Sequence, residues 1–342
     1  MNINLVLQKL SNLKDLSSLE MRLIMMQLLS GDLTDSQIGA FIMAINIKGE
    51  SIVELTAAAE VMRELSKKVD VSNELLLDTC GTGGVSSGIF NVSTASALLA
   101  ASCGVKVAKH GNRSVTRKSG SADLLEQAGV KIALKPASIT KCIDKIGIGF
   151  MFAPSHHSAM RHVSNARKEL GMKTMFNVLG PLTNPAGALN QILGVYKRDL
   201  VLPIAEVLRS LGTKRAMVLH SKDGLDEISI VERTYVAELK DEKISEYEID
   251  PKDYDFNFGS IESLKVDSPK ESLMLVKEGL TGKNLIASSI IMINAGAGIY
   301  LVGLASSLKE GIEVAREAII SGQGLFKLEE LVNFSNTIEG AE

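Results

Sequence analysis

The sequence predicts an α/β protein: a small all-helical domain followed by a large α/β domain with a mostly parallel central sheet flanked by helices. In the first seventy residues, apolar side chains recur with helical spacing and no strand-like run occurs. From residue 75 onward the pattern changes to short apolar runs separated by helical stretches. That alternation is typical of parallel strands joined by crossover helices.

Three helices are predicted in the amino-terminal region. The first carries an apolar face from Met21 to Leu29. The second begins at the capping residue Thr34 and ends before Gly49, and the third begins at Ser51. Each has one apolar face, so we expect them to pack together into a small core of their own.

Six short apolar runs predict the strands of the sheet. They are residues 75–77, 105–108, 131–134, 148–152, 191–195 and 215–219. The charged stretch Lys240 to Asp255 is predicted to be a solvated hairpin and loop without a chemical role. The uncharged run Leu285 to Leu308 is long enough for a membrane helix, but Asn294 and its serines and glycines favour a buried helix, or two helical segments, packed on the sheet.

Composition limits the possible partners and compartment. The chain of 342 residues has a net charge of −3, which provides no general field for a polyanion, so nucleic acid is not predicted as a partner. Three widely spaced cysteines indicate buried thiols in a reducing cytoplasm rather than a disulfide framework. Met1 to Leu10 lacks the pattern of a signal peptide, and no membrane association is expected.

A glycine-rich loop follows the first predicted strand, in the order Asp78-Thr79-Cys80-Gly81-Thr82-Gly83-Gly84. Missing Cβ atoms would let backbone N–H groups close on a ligand oxygen. The glycine spacing fits neither a Walker loop nor a dinucleotide fingerprint, and a simple tight turn is the alternative for this loop in isolation.

The residues after the loop strengthen the phosphate interpretation. Asn91, Ser93 and Thr94 open an alanine-rich helix, Ala95 to Ser102, so capping side chains and the positive end of a helix dipole are expected there. The next apolar run delivers Lys109 and His110 at its carboxyl end, the edge where ligands bind in open α/β sheets. Together these features predict a local phosphate site.

Several further segments occur in a fixed order along the chain. They are Lys109-His110-Gly111-Asn112-Arg113, His156-His157-Ser158-Ala159-Met160-Arg161, Arg167-Lys168-Glu169-Leu170-Gly171, Asn177-Val178-Leu179-Gly180-Pro181-Leu182-Thr183-Asn184-Pro185 and Asp223-Gly224-Leu225-Asp226-Glu227-Ile228-Ser229. With the glycine loop, they make the chain resemble the anthranilate phosphoribosyltransferases of tryptophan biosynthesis. The resemblance covers nearly the whole chain, as far as Asn294-Ala295-Gly296.

The resemblance implies a reaction and a domain arrangement. The reaction is transfer of the phosphoribosyl group from phosphoribosyl pyrophosphate (PRPP) to the amino group of anthranilate, which gives N-(5-phosphoribosyl)anthranilate and pyrophosphate. It also implies a homodimer formed through the helical domain. Residues 1–72 and a return segment of about 165–190 would form that domain, and residues 73–164 and 191–342 the α/β domain.

Site residues are implied in the same way. PRPP would be held by Gly81, Gly83, Gly84, Asn91, Ser93, Thr94, Lys109, Arg113 and Ser121. Mg²⁺ would be held by Ser93, Asp226 and Glu227, which supply the oxygen ligands this ion prefers. Without the resemblance, Asp226-Glu227 is a surface acidic pair in a turn.

Anthranilate is implied to bind beside these residues. Arg167 would pair with its carboxylate, because a planar guanidinium matches a carboxylate with two hydrogen bonds. The alternative is a helix-surface arginine paired with Glu169. His110 and Asn112 would line the pocket, and Gly180-Pro181 would form a backbone wall. The aniline nitrogen is neutral at pH 7, so His110 is expected to position the substrate rather than act as an obligatory base.

The chain departs from the family pattern at Val85, Ile89 and Arg117, which puts PRPP affinity and metal stoichiometry in question. Adjacent His156 and His157 have no third ligand at zinc spacing, so no zinc site is predicted. Two competing hypotheses are a pyrimidine-nucleoside phosphorylase of the same fold and a non-catalytic relative that binds nucleic acid. The glycine-rich segment typical of the phosphorylases is not found in Gly111 to Ser121. A nucleic-acid-binding relative would have a basic groove, which this sequence does not predict.

Overall fold

The computed structural model of the chain describes residues 1–71, 75–83, 88–114 and 118–338. Its strands are β1 (Leu76–Gly81), β2 (Lys106–Gly111), β3 (Ile148–Phe152), β4 (Asn190–Gly194), β5 (Arg215–Ser221), β6 (Thr234–Lys240) and β7 (Lys243–Ile249). Its helices are α1 (Ile3–Ser11), α2 (Ser18–Ser30), α3 (Asp35–Lys48), α4 (Ile52–Glu64), α5 (Val92–Ser102), α6 (Ser121–Gln127), α7 (Pro136–Ile146), α8 (Ala153–His156), α9 (Arg161–Leu170), α10 (Met175–Leu179), α11 (Val201–Ser210), α12 (Pro269–Leu280), α13 (Leu285–Leu301), α14 (Leu308–Ile320) and α15 (Gln323–Thr337).

The strands form one sheet in the order β3-β2-β1-β4-β5-β6-β7. The first five run parallel, and β6 and β7 continue the sheet as an antiparallel hairpin. The predicted fold class is confirmed. The chain builds β2 and β3 on one side of β1 and then returns to place β4 on the other side. Such a reversal of strand order opens a crevice at the carboxyl ends of β1 and β4, where ligands bind in this class of sheet.

Alternate residues of the strands face two different cores. Ile192 and Met217 join the core beneath α5 and α13, whereas Leu193 and Val218 join the core shared with α11 and the amino-terminal helices. The helical domain therefore packs on this side of the sheet through α11, which contacts α4 as well as β5 and β6. The parallel strands are thereby largely removed from water, whereas the outer strand β7 stays mostly exposed.

The three predicted amino-terminal helices are confirmed as α2, α3 and α4. Each begins with a reciprocal cap, in which Ser17, Thr34 or Ser51 bonds to the backbone of the first turn and the third helical residue bonds back. A further helix, α1, precedes them. From the middle of the chain, α9 packs on α2 and α3, and α10 packs on α4.

One predicted strand is wrong. Residues 131–134 form no strand, although Ile132 and Leu134 are buried. The backbone N–H of Lys131 donates to Ser335 Oγ of α15 at 3.1 Å instead of to a neighbouring strand. The run therefore packs as irregular backbone under a helix, and a short apolar run alone does not distinguish that from a strand.

The predicted hairpin was placed too late in the chain. It comprises β6 and β7, so it begins at Thr234 rather than Lys240, and Ala237 and Leu239 are buried in the core. The turn residues Asp241 and Glu242 both have positive φ, of 50° and 60°. That is the conformation of a two-residue hairpin turn, whose twist matches the flanking strands.

Residues 285–301 of the long uncharged run form one helix, α13, buried on nearly all sides as predicted, and the run continues past its end to Leu308, where α14 begins. Gly298 permits close packing on the sheet, because a Cβ there would lie 2.8 Å from the side chain of Leu77. Among the described residues no single helix is long and apolar enough to cross a membrane, and α12 and α13 reach that length only together, across a bend of 77°.

Cys142 is a buried free thiol, as predicted, but Cys80 and Cys103 are only partly buried.

Candidate active site

A small cavity lies at the carboxyl ends of β1 and β4, beneath the start of α5. Its walls include Thr79, Ser93, Asp226, Glu227 and Asn294. The structure thus brings the three predicted metal ligands to one place, although Ser93 and the two acids are more than a hundred residues apart in the chain. All three offer oxygen, the donor that Mg²⁺ prefers.

Two glycines let the acidic loop approach the sheet. A Cβ at Gly81 would lie 2.7 Å from Oδ2 of Asp226, and one at Gly194 would collide with the Asp226 backbone carbonyl. Any side chain at these positions would push the loop away from the strand ends. Gly81 therefore acts through close packing as well as through the backbone freedom the sequence suggested.

Asn294 on α13 fixes the same loop from below. Its Oδ1 accepts the N–H of Ile228 at 2.9 Å, and its Nδ2 donates to the Ile228 carbonyl at 2.9 Å. This positioning role was missed, although an asparagine inside an uncharged run was a visible signal. Within the described residues no three His, Cys, Asp or Glu side chains cluster as a metal site. The acidic pair therefore fits an ion that keeps several water ligands, as Mg²⁺ does.

Lys109 is a buried cation next to this cavity, with only 2% of its surface exposed. Its Nζ donates to the Thr79 carbonyl at 2.7 Å, to Thr79 Oγ1 at 3.3 Å and to Ser93 Oγ at 3.4 Å. Among the described residues no carboxylate lies within ion-pair distance of this ammonium. Burial lowers the pKa of Lys109. A buried charge with neutral partners is unfavourable, so the site favours the arrival of an anion.

The start of α5 differs from the prediction. The helix begins at Val92 rather than Ala95, and Asn91 makes no side-chain cap. Its Oδ1 instead accepts the hydroxyls of Ser119 at 2.8 Å and Ser272 at 2.7 Å, so Asn91 positions the loop before α6. Thr94 Oγ1 is buried and has no hydrogen-bond partner among the residues that the structure covers.

Arg113 and Ser121 lie at the next loop. The guanidinium of Arg113 pairs with Asp123 at 3.1 Å and Glu126 at 2.7 Å, and its side chain is 46% exposed. Ser121 opens α6 against Gly111, where a Cβ would collide with the serine hydroxyl. The phosphate roles of both residues stay predictions. Gly83 has the left-handed φ of +63° expected in a glycine loop, and Gly84 lies outside the described residues.

Two histidines near the end of β2 are buried, His110 on the strand itself and His157 just after α8. The rings of His110 and His157 are 5.2 Å apart, and the Nε2 atom of each is buried without a partner in the described part of the chain. Burial lowers the pKa of His157 to about 4 and holds that of His110 well below its usual range. Both rings are therefore neutral at pH 7. His157 was missed as a wall of this region, since it entered the sequence argument only as a rejected zinc ligand.

Arg167 lies half-buried on α9, with its guanidinium carbon 5.3 Å from the ring centroid of Phe176. Burial lowers its pKa. The alternative pairing with Glu169 is not found, because Glu169 accepts from Asn165 at 3.1 Å. No acid in the described ranges pairs with Arg167, which leaves a planar cation ready for a carboxylate.

Comparison with known proteins identifies the family. Residues 5–66 match a glycosyl transferase family helical bundle domain, and residues 73–325 match the α/β domain of the same family. The chain is 50% identical over 339 residues to an anthranilate phosphoribosyltransferase of Ectopseudomonas mendocina, covering 98% of this chain and 97% of the relative. This chain belongs to the anthranilate phosphoribosyltransferase family.

Solved structures of anthranilate phosphoribosyltransferases share the fold. The Thermus thermophilus enzyme superimposes with a TM-score of 0.91 at 38% identity, covering 97% of this chain and 99% of that one. The Saccharomyces cerevisiae enzyme in complex with PRPP and Mg gives a TM-score of 0.88 at 28% identity, covering 98% of each chain. The yeast enzyme is also known in complex with 4-fluoroanthranilate.

Of the three departures from the anthranilate phosphoribosyltransferase pattern, only Ile89 falls within the described residues. It is buried and bridges to Lys265, and the neighbouring Phe90 N–H donates to the Leu264 carbonyl at 3.0 Å. An apolar side chain at this position is therefore part of the core beneath α5. Val85 and Arg117 lie outside the described residues.

Proposed function

We propose that this chain transfers the phosphoribosyl group of PRPP to the amino group of anthranilate, forming N-(5-phosphoribosyl)anthranilate and pyrophosphate in tryptophan biosynthesis. The observation that carries the proposal is the buried ammonium of Lys109, which has only neutral partners and lies beside Ser93. Anthranilate phosphoribosyltransferases at about half identity over nearly the full chain support the substrates.

The PRPP side of the proposal uses the carboxyl ends of β1 and β2. The proposed contacts are Gly81, Gly83, Gly84, Asn91, Ser93, Thr94, Lys109, Arg113 and Ser121. Lys109 provides a fixed positive charge for a phosphate, and the first turn of α5 provides backbone N–H groups. The unpartnered hydroxyl of Thr94 is a further donor. Asn91 acts here by holding Ser119, and Arg113 would have to leave Asp123 and Glu126 to reach a phosphate.

Mg²⁺ is the proposed cofactor, held by the hydroxyl of Ser93 and the carboxylates of Asp226 and Glu227. When bound, it supplies positive charge at the leaving pyrophosphate. Asn294 and the glycines at 81 and 194 keep the acidic loop against the strand ends. These protein groups thus hold charge where it develops as the C1–O bond breaks.

Anthranilate, the acceptor, is proposed to bind to a second group of residues. Arg167 would bind the anthranilate carboxylate, while His110, Asn112, Gly180 and Pro181 would line the ring. Because His110 is neutral and the aniline nitrogen is neutral at pH 7, the transfer depends on positioning more than on a strong base. A pyrimidine-nucleoside phosphorylase and a nucleic-acid-binding relative are not favoured by the family comparison.

We also propose a homodimer. The helix α2 exposes Leu19, Leu23 and Met26 to 66%, 43% and 39%, and their spacing puts them on one face opposite the buried one. An apolar stripe of this kind supports association through the helical domain.

The proposed domain division is residues 1–72 with 165–190, and 73–164 with 191–342, supported by the packing of α9 on α2 and α3. The free thiols support a cytoplasmic location.

One assay tests the function. Protein, PRPP, anthranilate and Mg²⁺ are mixed, and the fluorescence of anthranilate is followed with time. We expect the signal to fall only when all four components are present. Persistent anthranilate fluorescence with folded protein at saturating PRPP would overturn the proposal.

A further inference from the structure

A fully buried carboxylate, Asp78, lies between the two sides of the proposed site. It is on β1, directly in register with Gln191 on β4. Its Oδ2 accepts Gln191 Nε2 at 3.1 Å, and its Oδ1 accepts the backbone N–H of His110 at 3.4 Å. Burial raises the pKa of Asp78 to about 6, while nearby Asn184 and Lys109 favour its charged form. Neither Asp78 nor Gln191 has a role in the mechanism described above.

Gln191 extends this contact to the acceptor loop. The same Nε2 atom donates its second hydrogen to the carbonyl of Pro181 at 2.6 Å. Asn184, at the end of that loop, donates to the Ala108 carbonyl on β2 at 2.9 Å. Asp78 is therefore joined to His110 on one side and, through Gln191, to Pro181 on the other.

We infer that Asp78 and Gln191 are positioning residues for the acceptor, holding His110 and the Gly180-Pro181 wall at the separation that anthranilate needs. The inference rests on the proposed function. Neither side chain lines the cavity at Ser93 and Asp226, so the effect belongs to the acceptor rather than to PRPP.

The chemistry requires a group at position 78 that only accepts hydrogen bonds. The two groups that hydrogen-bond to Asp78 are the backbone N–H of His110 and the side-chain amide of Gln191, and both of them donate. A carboxylate offers an acceptor oxygen to each donor, whereas an asparagine would turn its own NH₂ toward one of them. Two buried donors that face each other are both left without an acceptor, so the neighbouring side chains have to move apart. The residue type is thus set by the network rather than by packing volume.

The experiment compares Asp78→Asn, Gln191→Glu and the double variant with wild type. Each single variant is expected to lower the melting temperature and to raise the KM for anthranilate by about tenfold or more, with the KM for PRPP within about twofold. In the double variant the donor and acceptor are exchanged, so their mutual hydrogen bond returns and the melting temperature recovers in part. The new carboxylate cannot donate to Pro181, so the KM for anthranilate stays high.

The double variant separates positioning from a purely structural role. If the KM for anthranilate recovers together with the melting temperature, or if both KM values rise equally, the inference is overturned. Gln191→Met keeps the side-chain volume and removes both donated bonds, so it gives the same test should Asp78→Asn fail to fold. If wild type consumes anthranilate and these variants keep a normal KM for anthranilate, only this inference is overturned. A wild type that does not consume anthranilate overturns the proposed function and the inference with it.

Discussion

Two buried lysines in this molecule have opposite surroundings. Lys48, at the end of α3, and Lys109, at the end of β2, are both nearly inaccessible to water. Lys48 donates to Asp15 at 2.6 Å, to the Gly49 carbonyl at 2.6 Å and to the fully buried Glu54 at 2.7 Å. Lys109 has only the carbonyl and hydroxyls of Thr79 and Ser93.

Their pKa values shift in opposite directions for this reason. Burial opposes the charge of Lys48, but hydrogen bonds to Asp15 and Glu54 outweigh it and raise its pKa. Burial dominates at Lys109 and lowers its pKa. Glu54 also accepts the backbone N–H groups of Leu16 and Ser51, so the first cation belongs to a completed network. An incomplete hydrogen-bond network around a buried charge therefore indicates a ligand site, and a complete one indicates a structural role.

The largest effect should come from the acidic pair of the cavity, Asp226 and Glu227, where Ser93 also lines the wall and accepts a hydrogen bond from Lys109. Asp226→Asn with Glu227→Gln should reduce kcat by about 10² to 10³ or more, because charge stabilisation at the leaving group is lost. The measurement is turnover at saturating substrates over a range of Mg²⁺. Circular dichroism should show an intact fold. Normal turnover by the folded double variant would mean that the incomplete network is not a metal and pyrophosphate site.

The second prediction extends the comparison to Arg167, a half-buried cation without an acidic partner in the described residues. Arg167→Ala should weaken anthranilate by about 1.5 to 3 kcal/mol, or roughly one to two decades in KM, since a charge-assisted pair is lost. The KM for PRPP should stay nearly constant. Lys168→Ala, an exposed cation on the same helix, is the matched control. Equal changes for both substrates would assign Arg167 a structural role.

The third and smallest effect concerns the neutral histidines. The folded pKa of His157 is about 4, below the usual value near 6.5, so the unfolded chain binds more protons between these values. Stability must therefore fall as the pH drops through that window. Relative to His157→Gln, wild type should lose about 2 kcal/mol of unfolding free energy between pH 7 and pH 5. Denaturant titrations at both pH values measure it, with His162→Gln as control. Parallel losses in wild type and His157→Gln would refute the buried neutral ring.

Local patterns predicted much of this molecule because their causes are local. The caps at Ser17, Thr34 and Ser51 define three helices by hydrogen bonds within one turn. Residues 131–134 show the limit, because pairing with a neighbour is not a property of the run itself. A strand predicted from a short apolar run also needs a partner strand, which the run itself does not specify.

The residues of the candidate site also fall into two groups, those found through local motifs and those whose partners are remote in sequence. Lys109, Asp226 and Arg167 were found through motifs, each a short ordered string of residues. Asp78 and Gln191 were missed as a pair, because only the register of β1 and β4 makes these two neighbours across 113 residues of chain. Asn294 and His157 were visible as polar residues in apolar or small surroundings, but their partners are equally remote.

The most direct test of the comparison replaces each lysine with methionine and measures stability and ligand binding together. Lys48→Met leaves Glu54 buried without its cation and should cost about 3 to 5 kcal/mol of unfolding free energy. Its calorimetric Kd for PRPP with Mg²⁺ should stay within about twofold of wild type. Lys109→Met should lose at most about 1 kcal/mol of stability, since no carboxylate among the described residues forms an ion pair with it, and should raise that Kd by roughly tenfold to a hundredfold. A Lys109→Met variant that is as unstable as Lys48→Met and binds PRPP normally would contradict the account.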